Sequence, residues 1–466
     1  VSLPELDRTA PEATLDFSSM APLPTARAGI ASRPEPLASA AKSVPTTAIL
    51  RARLRAWGWL SALSFVDQGL TSAAGFGVNL FLARMPPKEY GAFAVAFAGF
   101  LFVSGFHNVL LLEPMSVMGP SRYVEKLPAY FRSMIVVHAV LVGALSAVLL
   151  LAGLILQAVA PQSRLVSAVM GGALAIPFLL LAWLARRMCY VTQRPQLAVQ
   201  GSALYLGLVG AGIFMLMHFA SLNCFSAFVL MGLAGLASAG LLVPRLGLFQ
   251  ETPDVRTSVP WLLILRENWA YGKWLMGSAL LNPAVSQAQV FFIAAFLGLG
   301  FAGVLRAMQL PSLLMTQVIT ATGVLFLPVL SGDYGRGAIG RMRHKAMLLS
   351  LALAGAALAL AAFLALLSKQ LEQILFGGKY AAYAWLMPIL ALLPVVNALS
   401  IGYAMALRAS QKPQFDLLTN LFAAPVALLS AVCFIRWWGI PGAAASLLLG
   451  FFVSAAVTLW CFFRAA

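Results

Sequence analysis

Residues 64–91, SFVDQGLTSAAGFGVNLFLARMPPKEYG, carry the pattern that decides the fold. An apolar run ends at Arg84, a short break passes through Pro86 and Pro87, and a second apolar run begins at Gly91. Read as a helix, the first run places Ser64, Gln68, Thr71 with Ser72, Gly75 and Asn79 at steps of three or four. That is one polar, small-residue stripe on a helix otherwise fit for lipid. Unpaired polar groups in hydrocarbon are costly, so the stripe belongs at a helix–helix seam or beside a water-filled cavity. Asp67 lies in the same run, and the second run ends in Glu113 and Pro114.

The rest of the chain repeats this theme. Its 466 residues are 61% hydrophobic and only 10% charged, far from the quarter charged of a soluble domain, which makes an integral membrane protein. The net charge of +16 is spread between apolar runs rather than gathered into a patch, so nucleic acid is not an expected partner. Cys189, Cys224, Cys433 and Cys461 form no CxxC pair and have no metal-ligand spacing. They read as buried spectators, with neither a disulfide framework nor a metal site. No catalytic constellation or cofactor motif is present, and the absence of G-x-x-x-x-G-K-[ST] argues against direct ATP hydrolysis.

Residues 1–50 are a different material, with seven prolines and no apolar periodicity, and read as a disordered cytoplasmic tail without a signal-peptide core. Arg51, Arg53 and Arg55 then lead into Trp57 and Trp59 at interface depth. Twelve apolar spans of bilayer length follow. The first six are expected over 60–83, 91–113, 133–159, 166–185, 196–218 and 223–243. The second six are expected over 275–298, 303–330, 346–368, 382–407, 414–435 and 440–462. The expected architecture is all-α, with two six-helix lobes at 51–243 and 274–466 around a central cavity, joined by a cytoplasmic linker at 244–273. With the N-terminus in the cytoplasm, twenty lysines and arginines from Arg51 onward fall on the cytoplasmic side. Six, Arg84, Lys88, Arg164, Lys369, Lys379 and Arg436, fall outside. That bias places both termini in the cytoplasm.

The loops Val191-Thr-Gln-Arg-Pro-Gln196 and Ala409-Ser-Gln-Lys-Pro-Gln414 lie six spans apart and share a Gln-(Arg/Lys)-Pro-Gln core. They point to two halves of the same orientation. Span seven carries Ser278, Asn282, Ser286 and Gln289 on one face, and span eight carries Arg306, Gln309, Thr316 and Thr320. Spans one, two, seven and eight are therefore expected to line the central cavity.

The run Asp67-Gln68, Ser72, Phe76, Ala83-Arg84 and Glu89-Tyr-Gly-Ala-Phe93, ending at Glu113-Pro114, resembles the first helix pair of bacterial polysaccharide-unit flippases. These are the O-antigen and exopolysaccharide type within the multidrug/oligosaccharidyl-lipid/polysaccharide exporter superfamily. Phe376-Gly-Gly-Lys-Tyr380 and the basic-Pro turn at 408–413 are similar to further family motifs, and the resemblance covers about residues 57–464. It implies alternating access, a bacterial inner membrane, and outward movement of undecaprenyl-diphosphate-linked oligosaccharides. It also implies membrane lipids, a polysaccharide polymerase and export machinery as surroundings.

Arg306 is the sharpest single signal, because a guanidinium inside a span is expensive unless it faces water, a partner or a ligand. It either binds the diphosphate bidentately, or snorkels to the outer interface or pairs structurally. Arg84 either guards the outer mouth or anchors its helix there, and Lys273 either touches substrate or belongs to an aromatic-basic belt with Trp269, Tyr271 and Trp274. Gln68, Asn79, Asn282, Gln287, Gln289 and Gln309 either contact sugar hydroxyls or bond neighbouring helices. Asp67 and Glu113 either couple transport to H⁺ or Na⁺ or hold a basic residue. His107 and His138 read as hydrogen-bonded interior groups, and Asp416 as a helix cap.

Three functions compete. A flippase for lipid-linked oligosaccharides fits a deep basic residue, whereas a drug or cation antiporter of the same superfamily predicts deep acidic ones. A polysaccharide polymerase, ligase or glycosyltransferase predicts a large outer loop or an acidic pair, but the outer loops here are short and carry only Glu89 and Glu372.

Overall fold

The computed structural model describes residues 46–248, 259–273, 275–410 and 414–465. Most of the expected tail, the middle of the linker and the Gln-Lys-Pro core of the second loop motif lie outside the described residues. The contacts below lie within the compact unit Arg55–Ala466.

The described residues are helices and their turns, with no strand among them. The long helix α1 (Thr46–Ala83) is followed by α2 (Pro87–His107), α3 (Glu113–Arg122), α4 (Leu127–Val159), α5 (Arg164–Val191), α6 (Pro195–His218) and α7 (Cys224–Arg245). After the short α8 (Trp261–Gly272) come α9 (Met276–Ser286), α10 (Ala288–Phe296), α11 (Leu299–Gly335), α12 (Ile339–Phe376), α13 (Leu386–Leu390), α14 (Leu392–Ala409), α15 (Gln414–Trp438) and α16 (Ile440–Ala465). Among the described residues nine helical spans are long and apolar enough to cross a membrane, and the bent pair α9–α10 makes a tenth. Helices α1 and α11, of 38 and 37 residues, fall where the first and eighth spans were expected. The protein is an all-α, multi-pass membrane protein. Its lipid-facing surface is visible on α4, where Val148, Leu151, Leu154 and Ile155 stand exposed, and on α12 at Leu351, Leu358 and Leu366. Such faces find their solvent in acyl chains.

Local chemistry explains where the helices start and stop. Pro87 stands at the first helical position of α2, where a missing N–H costs nothing. Asn223 and Ser226 form a reciprocal capping box on α7. Helix α12 stops at Gly377, whose φ of 68° suits a residue without Cβ. Pro177 inside α5 cannot donate to the Ala173 carbonyl four residues back, and the Ser146 hydroxyl of α4 donates to it instead.

Several elements differ from the sequence expectation. The second span does not end at 113: α2 passes through a π-helical turn at Asn108–Leu112 into α3, so the helix reaches Arg122. The seventh span is broken at Gln287 with a bend of 49°, because Pro283 weakens the helix just ahead. The tenth is divided at Ala391 into α13 and α14. The expected linker begins inside the last turn of α7 and contains α8, which packs on α4 and on the π-helical turn. Asp416 lies in the first turn of α15 and pairs with Arg408 at 2.7 Å. Three of the cysteines are buried, but Cys433 is exposed.

Helix α5 packs against α7, α4, α2 and α6, α12 against α14, and α15 against α16 and α9. The first seven helices meet the later ones mainly where α2 packs on α11, with α9 and α10 alongside. At that seam Gly91 and Gly303 let the two backbones touch. A Cβ on Gly91 would come within 1.6 Å of the Leu299 carbonyl oxygen, and one on Gly303 within 2.5 Å of the Pro87 oxygen. Gly91→Ala must push α2 from α11, and overpacking of this kind costs about 1–3 kcal/mol. Thermal unfolding in detergent should show a clearly lowered midpoint for Gly91→Ala. Gly99→Ala, with nothing within 4 Å of the new methyl, should match or exceed wild type.

Candidate functional site

Two adjoining cavities, of about 360 and 680 Å³, share Gln68, Thr71, Trp183 and Arg186 in their walls. They form one elongated site between α1, α2, α5, α6, α7 and α11. The polar stripe of α1 lines it throughout, from Asn79, Gly75 and Ser72 in the smaller part to Gln68, Thr71 and Ser64 in the larger. One face of α11 runs beside it: Arg306, Leu310, Leu313 and Gln317, then Thr320 and Ala321. The fifteen steps from Arg306 to Ala321 make the site roughly 22 Å long.

Arg306 lies at one end of this site, only 8% exposed. Its guanidinium carbon is 5.7 Å from the centre of the Phe97 ring. Among the described residues no carboxylate pairs with it. It stands one turn beyond Gly303, directly behind the α2–α11 contact. Asn79 nearby donates to the Gly75 carbonyl at 2.8 Å and accepts from the Tyr90 hydroxyl at 3.1 Å, which fixes its side chain.

Among the described residues Asp67 is the one carboxylate lining either cavity, and it is saturated. It is 1% exposed and accepts from Arg186 Nε at 3.2 Å, Arg186 Nη2 at 2.6 Å and the Tyr190 hydroxyl at 2.6 Å, with the Ser202 hydroxyl as a fourth donor. Arg187 also faces the larger cavity. Glu113 accepts from Asn108 Nδ2 at 3.0 Å and lies in the field of Arg187. Among the described residues the lining therefore carries three arginines against one neutralised aspartate, with aromatic faces at Phe76, Phe97, Phe100 and Trp183 and amides at Gln68, Asn79, Gln287 and Gln317. Arginine forks bind phosphoryl oxygens, and aromatic rings with amides suit the two faces of a sugar.

No known protein family matches the sequence, and no curated protein matches it. Solved structures do. An inward-facing multidrug resistance MATE family transporter of the MOP superfamily matches with a TM-score of 0.65 and 15% identity, over 85% of this chain and 94% of that one. A MOP superfamily transporter from Pyrococcus furiosus, described by a reversed polarity of its binding pocket, matches at 0.64 and 14%, over 88% and 95%. The lipid II flippase MurJ, in an inward closed conformation, matches at 0.64 and 10%, over 86% and 87%. The chain has the fold of MOP-superfamily transporters.

Within this MOP-type fold the expected residues are dispersed. Gln68, Asn79 and Arg306 line the cavity. Arg84 instead donates to the Leu375 and Ile374 carbonyls at 2.8 and 2.9 Å, at the end of α12. Lys273 is exposed beyond α8, and Asn282 is exposed on α9. Gln309 is buried outside the lining, and Gln289 is fully buried with neither amide atom hydrogen-bonded among the described residues. None of the stripe residues of span seven lines the cavity; Gln287, at the bend between α9 and α10, takes a place in the wall instead. His107 and His138 are not solitary. His138 Nε2 faces the Pro177 carbonyl at 3.1 Å, so its Nδ1 accepts from His107 Nε2, also at 3.1 Å.

The span expected over 166–185 is α5, but its cavity-facing surface was not among the expected site residues. Trp183, Arg186, Arg187 and Tyr190 stand at i, i+3, i+4 and i+7, one helical face turned to the cavity. The two arginines counted as loop charge, although the spacing itself marks a shared face. Breaking a buried pair from one side leaves an uncompensated charge and costs about 3–5 kcal/mol. Asp67→Asn should therefore lower the thermal midpoint strongly, and adding Arg186→Gln should recover much of the loss in a double-mutant cycle.

Proposed function

We propose that this protein is a MOP-superfamily transporter that moves undecaprenyl-diphosphate-linked oligosaccharides from the cytoplasmic to the outer leaflet of a bacterial inner membrane. Two lobes, 51–243 and 274–466, alternate access to the cavity between them, and both termini are cytoplasmic. The observation that carries this reading is Arg306: a buried guanidinium at the end of the cavity, with no carboxylate partner among the described residues. A buried cation is stable only with a counter-charge, and a diphosphate entering the cavity supplies one. Trp183 and the cavity amides then meet the sugars, while the prenyl tail stays in lipid. Gln68, Asn79, Gln287 and Gln317 are the proposed sugar contacts.

The cation-antiporter reading requires a carboxylate free to hold a cation. Asp67, the acidic residue of the lining, already accepts from four donors, so the cavity in this conformation favours anions. Asp67 and Glu113 are proposed as holders of Arg186 and Arg187 rather than as coupling sites.

Purified protein in liposomes loaded with an undecaprenyl-diphosphate oligosaccharide tests the proposal, with protection of the sugar from an external glycosidase as the readout. Wild type should move the sugar. Arg306→Ala should weaken substrate affinity roughly ten- to a hundredfold, the worth of about 1.5–3 kcal/mol in charged hydrogen bonds, and Arg306→Lys should recover part of it. Transport of a cationic dye with no movement of lipid-linked sugar would replace the flippase with the antiporter.

A further inference from the structure

Beside the α2–α11 glycine contact, the ends of two helices exchange caps. Helix α1 ends at Ala83 and α12 at Phe376, and each exposes carbonyls that its own helix cannot satisfy. The Arg84 guanidinium, from the end of α1, donates to the Leu375 and Ile374 carbonyls of α12 at 2.8 and 2.9 Å. In return Lys379, just past α12, donates to the Arg84 carbonyl, and the buried Tyr380 hydroxyl donates to the Ala83 carbonyl at 3.0 Å. Cations at helix C-termini are favoured by the aligned peptide dipoles, so both ends gain.

The exchange is reciprocal and spans almost 300 residues of chain. The Gly377–Gly378 turn, with φ of 68° and 81°, brings Lys379 and Tyr380 back over the α12 terminus. Glu372 accepts from the Tyr380 backbone N–H at 2.8 Å and holds that turn in shape. These four hydrogen bonds form separately from the cavity lining: none of Arg84, Lys379 and Tyr380 faces either cavity. Arg306, by contrast, sits one turn inward of the same seam.

The geometry points to a latch: the exchanged caps hold α1 and α12 together and keep the cavity shut at the end where α1 turns into α2. Releasing them lets this end open, with the carbonyls passing to water. The inference rests on the transport reading for its purpose, since a latch matters only to a protein that opens at both ends. Its structural content does not depend on the cargo.

The test is a distance distribution by pulsed electron paramagnetic resonance on the full chain in lipid nanodiscs. Spin labels go on Lys88→Cys and Gln370→Cys, both exposed near this end, in a Cys433→Ser background. The latched protein should give one short component. Arg84→Ala with Lys379→Ala should add a longer component, raising the open-to-shut ratio about tenfold, which corresponds to about 1.4 kcal/mol. Tyr380→Phe keeps the buried ring and removes one hydrogen bond. It should shift the ratio in the same direction by less, and it decides the matter if the double variant does not fold. Arg122→Ala, which breaks the pair with Glu267 between α3 and α8, serves as the control and should leave the distribution unchanged. Unchanged distributions in the double variant, or in Tyr380→Phe where it alone folds, overturn the latch. An opened distribution in a protein that moves no lipid-linked sugar leaves the latch standing and removes the flippase.

Discussion

The Asp67 carboxylate joins three helices. From α1 it accepts two hydrogen bonds from Arg186 and one from Tyr190, both on α5, and another from Ser202 on α6. In a low-dielectric interior neither an arginine nor an aspartate is tolerable alone, so each requires the other and the helices must stay in register. That register brings the polar stripe of α1 opposite the arginine face of α5, and the space between them is the cavity. The same pair neutralises the single acid among the described residues of the lining. Among the described residues this leaves the lining with cationic excess and without a free carboxylate.

A second constraint acts at the other end of the site. Close backbone contact at Gly91 and Gly303, the hydrogen bond from Tyr90 to Asn79, and the caps exchanged between α1 and α12 all gather around the α1–α2 turn. Arg306 lies just inside this tight layer. A cation without a carboxylate partner behind such a seam is costly for stability alone, and that cost is the physical basis for assigning it to an anionic ligand.

Prolines and the π-helical turn show how the bundle tolerates irregular backbone at membrane depth. Where Pro177 frees a carbonyl, Ser146 fills it. Where α2 widens at Asn108–Leu112, Gly272 allows α8 to lie against it, a Cβ there coming within 2.9 Å of the Val109 oxygen. Broken or widened helices survive in a bilayer only with such partners. The same rule accounts for the bend at Gln287, whose side chain turns to the polar cavity.

The amino-acid sequence by itself determined the class, the helical content, most span positions and the cavity face of α1. Each follows from hydrophobicity and period along one helix, which are local properties of the chain. Arg306 was legible too, because a cation inside an apolar run stands out without any neighbour. Only the tertiary structure decided that Arg84 caps α12, that His107 meets His138, and that the arginines of α5 face the cavity while Asn282 does not. These are relations between helices far apart in the chain. A bend at Gln287 or a π-helical turn at Asn108–Leu112 rotates the later part of its own helix relative to the earlier part, so one straight face cannot describe both. The side chain that a straight helix would aim inward then points elsewhere, and helical spacing alone carries no record of that rotation.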